Sequence, residues 1–266
     1  TNAGVVGTDV TGVGTARQQL AACEYGGDKG IFGFGYNGAY ASMTNLVSNA
    51  GVVATDTTGV GTARNNLAAC GYGEDKGIFG FGYVVTGETA MTNLVTNVGV
   101  VGTDVTGVGT ARDHNAACEY GEDKGIFGYG YTDDTNVSMT NLVSNTGVVA
   151  TDVTGVGTAR NSTAACGYGY DKGIFGFGND GSQCDITNLV SSTGVVASDV
   201  TGVGTARQSI AACEYGGDKG IFGYGYNPSI SQAVSMTNLV SNAGVVATDV
   251  TGVGQTRNGL AACSFN

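Results

Sequence analysis

The chain contains no Trp, one Pro and one His among its 266 residues, and only 12% of its residues are charged. It has no run of about 18 apolar residues, so no membrane-spanning helix is predicted. Neither an initiator Met nor a basic leader with an apolar run opens the sequence, and we therefore expect a processed or partial chain. Hydrophobic residues still make up 41% of the chain, which is too many for simple disorder.

Positive charge is also scarce: 11 Lys and Arg stand against 22 Asp and Glu, giving a net charge of −11. A nucleic-acid partner is not expected, because phosphate binding requires clustered Lys and Arg. Each cation instead occupies a fixed position of a repeat, and we predict a structural role for both sets. The arginines are Arg17, Arg64, Arg112, Arg160, Arg207 and Arg257. The lysines are Lys29, Lys76, Lys124, Lys172 and Lys219.

Glycine, in contrast, is abundant, with 48 residues and no period of three. It is therefore expected in turns and at close backbone approaches rather than in a collagen-like helix. The tripeptide Gly-Val-Val marks repeat units that start at residues 4, 51, 99, 147, 194 and 244. Periods of this length indicate solenoids, repeat arrays or propellers.

Each unit contains four short segments typical of strands. In the second unit they are GVVATDT (51–57), NNLAACGYG (65–73), KGIFGFGY (76–83) and MTNLVTN (91–97). No segment has a helical apolar period, and the glycine content disfavours helices. Four strands per unit favour one β-propeller domain, residues 1–266, of four-stranded antiparallel blades over a β-solenoid or a β-prism.

The repeat resembles the kelch repeat, in which an Arg precedes a small-residue strand and an apolar strand ends in glycines. In the second unit the matching residues are Arg64, Ala68, Ala69, Cys70, Asp75, Lys76, Ile78, Phe79, Gly80 and Gly82. Here G-F-G or G-Y-G stands where kelch repeats have adjacent glycines, and Trp is absent. The resemblance implies that the strand after Arg is the innermost of its blade, with TNLV and GVV outside. A looser resemblance connects the chain to repeat regions of viral and bacterial surface proteins, tail fibres among them.

Cysteine occurs once per unit at residues 23, 70, 118, 166, 213 and 263, with Cys184 outside this pattern. Equivalent inner strands should lie too far apart for disulfides, and paired metal-ligand spacings such as C-x-x-C are absent. We therefore interpret the thiols as small apolar fillers. No metal and no cofactor are predicted.

Catalysis is disfavoured by the residues at hand. His114, the single His, occurs in one unit only and has no nucleophile and orienting partner in the sequence around it. We expect it at a surface or rim. The G-x-G patterns precede strands, not the helix that a dinucleotide loop requires. One Asp per TDVTG loop is more typical of a turn cap than of a calcium site.

Sequence variation concentrates in two segments of each unit. One is the trio after Arg, such as QQL (18–20); the other follows G-F-G, such as YNGAYASM (36–43). Strand counting puts both on one face of the propeller, where loops usually bind ligands. The ligand-binding candidates are Tyr36, Asn37, Tyr40, Tyr83, Glu88, Tyr131, Asp133, Asp134, Asn179, Asp180, Tyr226, Asn227 and His114.

The sequence thus predicts a non-enzymatic binding or structural propeller, exposed on a cell or virion surface, that recognises a glycan or a protein. The alternative is an intracellular kelch-like interaction adaptor, which unpaired thiols fit; an oligomer is compatible with either. A sixth copy of the inner strand (258–266) has no DKGIFGFGY after it. We expect a six-fold ring with an incomplete last blade, closed by the N-terminal GVV segment as an outer strand; five full blades with spare end strands are the other solution.

Overall fold

Residues 1–265 are described by a computed structural model, in which five three-stranded antiparallel sheets follow one another along the chain. No helix occurs among these residues. The prediction of an all-β repeat architecture is therefore confirmed. Asn266, the last residue of the predicted strand 258–266 and of the predicted domain, lies outside the described residues.

Each sheet has an inner, a middle and a third strand, hydrogen-bonded in that order. The inner strands are β1 (Ala21–Tyr25), β4 (Ala68–Tyr72), β9 (Ala116–Tyr120), β14 (Ala164–Tyr168) and β17 (Ala211–Tyr215). The middle strands are β2 (Lys29–Gly33), β5 (Lys76–Gly80), β10 (Lys124–Gly128), β15 (Lys172–Asn179) and β18 (Lys219–Gly223). The third strands are β3 (Thr44–Val47), β8 (Thr92–Val95), β13 (Thr140–Val143), β16 (Gln183–Val190) and β21 (Thr237–Val240).

The connection between a middle and a third strand folds into a short ribbon in three of the sheets. These ribbons pair β6 (Tyr83–Val84) with β7 (Gly87–Glu88), β11 (Tyr131–Thr132) with β12 (Thr135–Asn136), and β19 (Tyr226–Asn227) with β20 (Gln232–Ala233). In the fourth sheet, β15 and β16 continue through this region as one long hairpin.

The predicted fourth strand is reduced to isolated bridges, so the expectation of four full strands is corrected. In the first sheet, Val53 bridges Val47 and Thr57 bridges Thr44. The backbone N–H of Ala54 also donates to the carbonyl of Leu46 at 2.8 Å. Glycine and exposed polar residues flank these contacts, so the segment follows the third strand without forming a continuous ladder.

Two further strands that the sequence predicted are not formed: the inner strand of the sixth copy and the N-terminal outer strand. Residues 258–265 form no assigned strand, and neither does the N-terminal GVV segment. In the other repeats the inner strand pairs with the middle strand, and the GVV segment bridges the third strand. The described chain contains no middle or third strand for this sixth copy, so both segments lack the partner that would make them strands.

The G-F-G or G-Y-G phrase kinks the chain directly after the Lys-Gly-Ile-Phe segment of each sheet. Phe81 has φ +63° and Gly82 has φ +106°, and the first value costs a non-glycine residue roughly 1 kcal/mol. The kink turns the Phe81 ring inwards, where it is fully buried and meets the Phe127 ring edge-on with centroids 5.1 Å apart. It also frees the Phe81 carbonyl to accept a hydrogen bond.

In each complete sheet, the carbonyl freed by the kink accepts a hydrogen bond from the repeated arginine. Arg112, whose partner is the equivalent carbonyl of Tyr129, is the example. Its Nε donates to the carbonyl of Tyr129 at 2.9 Å, and its terminal nitrogens donate to the Thr110 carbonyl at 3.2 Å and to Asn141 Oδ1 at 2.7 Å. The guanidinium carbon lies 4.0 Å from the ring centroid of Phe81 in the preceding sheet. Burial lowers the pKa of Arg112 to about 10, so the guanidinium remains charged at neutral pH.

Equivalent arginines bond the same carbonyl in every complete sheet. The bonds run from Arg17 to Phe34, from Arg64 to Phe81, from Arg160 to Phe177 and from Arg207 to Tyr224. Arg257, in the sixth copy, instead donates to the Tyr224 hydroxyl at 3.2 Å. The lysines have a different setting, because Lys29, Lys76, Lys124, Lys172 and Lys219 each pair with the preceding Asp at the surface. Such exposed pairs add little stability.

Small residues allow each inner strand to pack closely against the middle strand of the next sheet. The inner strands lie side by side in the order β1, β4, β9, β14 and β17. A Cβ atom added at Gly77 would lie 2.5 Å from Sγ of Cys23 in the adjacent sheet. All seven cysteines are free thiols, as a filler role requires.

The middle residues of the trios after Arg join the six repeats in a closed circuit of backbone hydrogen bonds. Each N–H donates to the carbonyl of the equivalent residue in the preceding repeat, and Gln19 N–H donates to the Gly259 carbonyl at 2.8 Å. All six residues have positive φ between 50° and 63°. In order of the chain they are Gln19, Asn66, His114, Ser162, Ser209 and Gly259. The circuit therefore brings the last repeat back to the first.

Replacing Arg112 by Lys should lower the free energy of unfolding by about 2–4 kcal/mol, because an ammonium cannot reproduce the forked, buried contacts. Urea unfolding followed by circular dichroism measures the change. Arg257→Lys is the matched control: its side chain is 46% exposed, so we expect a loss below about 1 kcal/mol there. Equal losses at both positions would contradict the role assigned to burial.

Gly80→Ala should destabilise the fold by about 1–3 kcal/mol, because it overpacks a rigid contact. The added Cβ would lie 2.7 Å from Cζ of the buried Phe127 ring. Gly223→Ala makes the same change in the fifth sheet, where the nearest atom is Cγ2 of Thr237 at 3.3 Å. Its unfolding midpoint in urea should stay near that of the parent protein, and a loss as large as that of Gly80→Ala would argue against this interface.

Candidate binding face

The two variable segments of each repeat lie against each other. In the first repeat, Gln18 of the trio and Tyr36 of the loop exchange backbone hydrogen bonds of 3.0 and 2.9 Å. The same pairing recurs between Asn65 and Tyr83, Asp113 and Tyr131, Asn161 and Asn179, and Gln208 and Tyr226. Trios and loops together form what we call the variable face, at the end of the sheets opposite the Asp-Lys turns.

A small cavity of about 130 Å³ is lined by the trios of all six repeats. His114 lies at this cavity, with Nδ1 2.9 Å from Oδ1 of Asp113 and a side chain that is 34% exposed. Asn115 lies there too, and neither its buried Oδ1 nor its Nδ2 has a hydrogen-bond partner among the described residues. The volume suits a few water molecules or a very small polar ligand, since pockets for larger ligands measure roughly 300–1,000 Å³.

A groove of about 610 Å³ lies between the variable loops of the first two repeats. Tyr36 and Tyr40 line one side, and Val84 and Val85 line the other. The rings of Tyr36 and Tyr40 meet edge-on with centroids 5.8 Å apart, and Tyr83 lies 6.4 Å beyond Tyr40. Val85 is 82% exposed. The groove therefore presents aromatic and aliphatic surface that no other part of residues 1–265 covers.

The predicted ligand-binding residues are not gathered into one site. The groove brings together Tyr36 and Tyr40, with Tyr83 close by, whereas the candidates of later repeats remain at their own loops. Those later candidates are Tyr131, Asp133, Asp134, Asn179, Asp180, Tyr226 and Asn227.

Several of the polar candidates shape loops through their own side chains. Asn37 Oδ1 accepts from the N–H of Ala39 at 3.3 Å, and Asp180 Oδ1 accepts from the N–H of Ser182 at 3.1 Å. Asn227 accepts from the N–H two residues later in the same way, at 2.9 Å. Asn179 donates instead to Oε1 of Gln208, in the trio of the next repeat, at 2.6 Å.

Three other polar candidates lie in the two-stranded ribbons that connect middle and third strands. Asp133 and Asp134 occupy the turn of the β11–β12 ribbon with φ values of 32° and 86°. Glu88 belongs to β7, where it pairs with Tyr83 across the β6–β7 ribbon. Sequence reasoning missed Val84 and Val85, because apolar residues in a polar loop give no repeated pattern.

A second cavity, of about 60 Å³, is lined by the Ala-Ala-Cys segments of all six repeats. Three carboxyl groups enter it, from Glu24, Glu119 and Glu214. Burial and the other two carboxylates raise the pKa of Glu119 to about 8. Burial and Glu24 raise the pKa of Glu214 to about 7. The sequence signal for this cluster is the residue after Ala-Ala-Cys, which reads Glu, Gly, Glu, Gly, Glu and Ser in chain order.

The Asp of each TDVTG loop reaches the link before Arg rather than its own turn. Asp56 accepts from the backbone N–H of Thr15 at 2.9 Å, from the Thr15 hydroxyl at 2.7 Å and from Asn45 Nδ2 at 2.9 Å. Both carboxylate oxygens of Asp56 therefore accept hydrogen bonds from within the chain. Within residues 1–265, no group of three or more His, Cys, Asp or Glu side chains is arranged to hold a metal ion.

No protein-family model matches the chain, and neither does any curated protein. The resemblance to kelch repeats therefore stays a prediction. The described residues also include no helix with the length and apolar character needed to cross a membrane.

Because the pKa of Glu119 is raised, we expect the free energy of unfolding to fall as the pH rises. Between pH 4.5 and about 8, Glu119 keeps a proton in the folded chain that it releases in the unfolded chain. A rise in pH over this range therefore favours unfolding. Glu119→Gln removes this linkage and should reduce the loss of unfolding free energy between pH 5 and pH 8 by roughly 1–3 kcal/mol. Urea titrations at four pH values measure it.

Glu122→Gln is the control, since it removes the same charge from an exposed turn. The control should leave the pH dependence close to that of the parent protein. If Glu119→Gln and Glu122→Gln gave the same profile, the central cavity would not be the source of the effect.

Proposed function

We propose that the chain is a six-bladed β-propeller, with an incomplete last blade, that binds a ligand on its variable face without catalysing a reaction. Two observations support the six-fold ring. The backbone hydrogen bonds of the six trios form a closed circuit, and the six Ala-Ala-Cys segments line one cavity. In a propeller, such segments are the inner strands around the axis.

The ligand that best fits the variable face is a glycan. The observation that carries this proposal is the groove beside Tyr36 and Tyr40, whose volume of about 610 Å³ lies within the range of ligand pockets. Tyrosine rings offer flat apolar surface for the C–H face of a sugar, and their hydroxyls offer hydrogen bonds. Tyr together with small polar residues is also a favourable binding composition.

The absence of catalysis in this proposal rests on the state of the candidate nucleophiles. Burial raises the pKa of the Cys23, Cys70, Cys118 and Cys166 thiols, because the thiolate would lose its hydration. Protonated, buried thiols are poor nucleophiles. The one histidine lies at a cavity of about 130 Å³, which is small for a substrate.

An intracellular kelch-like adaptor is the second candidate, and the seven free thiols favour it. Free cysteines persist in reducing compartments, whereas surface proteins outside the cell usually pair theirs. In this case the exposed Val85 would contact a protein partner.

Tyr40→Ala should weaken binding to the glycan selected on a glycan array by at least tenfold, because the variant loses one wall of the groove. Titration calorimetry with that glycan measures the change. Tyr170→Ala is the matched control: Tyr170 is 76% exposed and lies in the turn between β14 and β15, at the opposite end of the sheets. No array signal, together with a protein partner whose binding needs Tyr40, would replace the glycan proposal with the adaptor.

A further inference from the structure

In the first four sheets, the second glycine of the Lys-Gly-Ile-Phe-Gly segment receives a phenylalanine ring from the next sheet. A Cβ atom added at these glycines would lie 2.7–2.8 Å from the ring Cζ of that Phe. The pairs are Gly33 with Phe79, Gly80 with Phe127, Gly128 with Phe175, and Gly176 with Phe222. Gly223, in the fifth sheet, has the same place but meets only Thr237. We call the space beside such a glycine its socket. Among residues 1–265, no aromatic ring occupies the socket at Gly223.

The fifth sheet shows the same difference in its other side chains. Ile31, Ile78, Ile126 and Ile174 are fully buried, whereas the equivalent Ile221 is partly exposed. Cys213 is likewise more exposed than the corresponding Cys of the first four sheets. Two cavities, of about 230 and 120 Å³, border these residues, and both reach Val6 near the N-terminus.

The space between the fifth and the first sheet is called the interval below, and the first sheet borders it from the other side. Phe32 is partly exposed, although its equivalents Phe79, Phe127, Phe175 and Phe222 are fully buried against glycines of the preceding sheet. Gly51 contacts Phe265 alone, whereas Gly99 contacts both Tyr25 and Leu46 at the equivalent place. The contact missing at Gly51 is that of a third-strand leucine.

The two ends of the chain fill the outer and inner positions of this interval. Gly4 contacts Leu239 and Tyr215 just as Gly99 contacts Leu46 and Tyr25. At the other position, Cys263 meets Gly30 as Cys23 meets Gly77. Within residues 1–265, the middle and third strand positions between these two segments are occupied by no residue.

The polar groups at the interval also lack their usual partners. In the five sheets, an Asn of the third strand donates to the TDV aspartate, as Asn45 does to Asp56. Asp9 has no such Asn donor among residues 1–265; it accepts the usual backbone N–H, that of Gln255, at 2.7 Å and lies 3.2 Å from Arg257. Arg257 is 46% exposed, while its equivalent Arg112 is fully buried. A third-strand Asn could bond both Arg257 and Asp9.

We propose that this interval is a docking site for a β-hairpin of the repeat's own type. One strand carries Lys-Gly-Ile-Phe-Gly and the other carries Thr-Asn-Leu-Val. Its Phe enters the socket at Gly223, its glycine receives Phe32, its Leu contacts Gly51, and its Asn joins Arg257 to Asp9. Four contacts on two different sheets give the site its sequence specificity. The proposal is independent of any ligand on the variable face.

A synthetic peptide of residues 171–190 is the probe, because β15 and β16 are the longest strands in the chain and form one continuous hairpin. Titration calorimetry under reducing conditions should show saturable binding of one peptide per chain, with a raised unfolding temperature. The peptide variant Phe175→Ala should bind at least tenfold more weakly. In the protein, Gly223→Leu should abolish binding, whereas Gly12→Leu, which has no atom within 4 Å of its added Cβ, should not.

If the free peptide associates with itself and cannot be titrated, a second measurement tests the same site without it. A chain in which one Gly and residues 171–190 follow Asn266 should unfold at a higher temperature than the parent chain, and Gly223→Leu should remove that gain. The proposal is overturned if neither the free peptide binds nor the appended hairpin stabilises. It is also overturned if Phe175→Ala and Gly223→Leu both bind normally, or if light scattering shows a dimer of the chain that the peptide cannot dissociate.

Discussion

The fold depends on a charged guanidinium that each complete sheet holds close to its aromatic kink. Removing an arginine from water is costly unless its donors find acceptors, and three separate motifs supply them for Arg112. The G-Y-G kink exposes the Tyr129 carbonyl, the T-A-R link gives the Thr110 carbonyl, and the third strand gives Asn141. A change in one motif would leave one donor of this buried guanidinium without an acceptor. The second repeat shows this arrangement, because Arg64 Nη2 and Asn93 Oδ1 have no hydrogen-bond partner among the described residues.

The contacts between sheets leave equally little freedom. The Phe127 ring fills the space above Gly80, and the side chain of Glu119 lies over Gly71 so closely that a Cβ there would overlap its carboxylate. Two facing glutamates could not share this space, which accounts for the alternation of Glu and Gly between neighbouring inner strands. The variable face escapes such limits, because Gln18 and Tyr36 meet through their backbones. Side chains there can differ between repeats without disturbing the sheets, and that freedom is what a binding face requires.

The repeated positions were predictable because their periodicity and residue types are local properties. AAC, KGIFG and TNLV form strands within the predicted segments, since small, β-branched and aromatic residues pack well in sheets. In the second unit these strands are shorter than the predicted segments 65–73, 76–83 and 91–97. The GVV segment did not form a full strand, because strand type does not reveal how much of a neighbouring strand remains for pairing. The groove beside Tyr40 could not be predicted at all. It depends on the paths of two loops of different length, and Val84 belongs to no periodic pattern. The contact between Asp56 and Thr15, 41 residues apart, likewise leaves no trace in local spacing.

Within residues 1–265, the hydrogen-bonded circuit of the six trios does not depend on a sixth three-stranded sheet. The trio circuit uses only the segments just before the inner strands, and the sixth copy, Gly259, contributes both its N–H and its carbonyl. A second connection joins the two terminal segments, because the Gln255 N–H donates to Asp9 just as the Thr205 N–H donates to Asp249 in the fifth sheet. Neither contact needs a middle or third strand. Within residues 1–265, the two terminal segments are therefore fixed next to each other although no middle or third strand lies between them, and the fifth and first sheets flank them on either side.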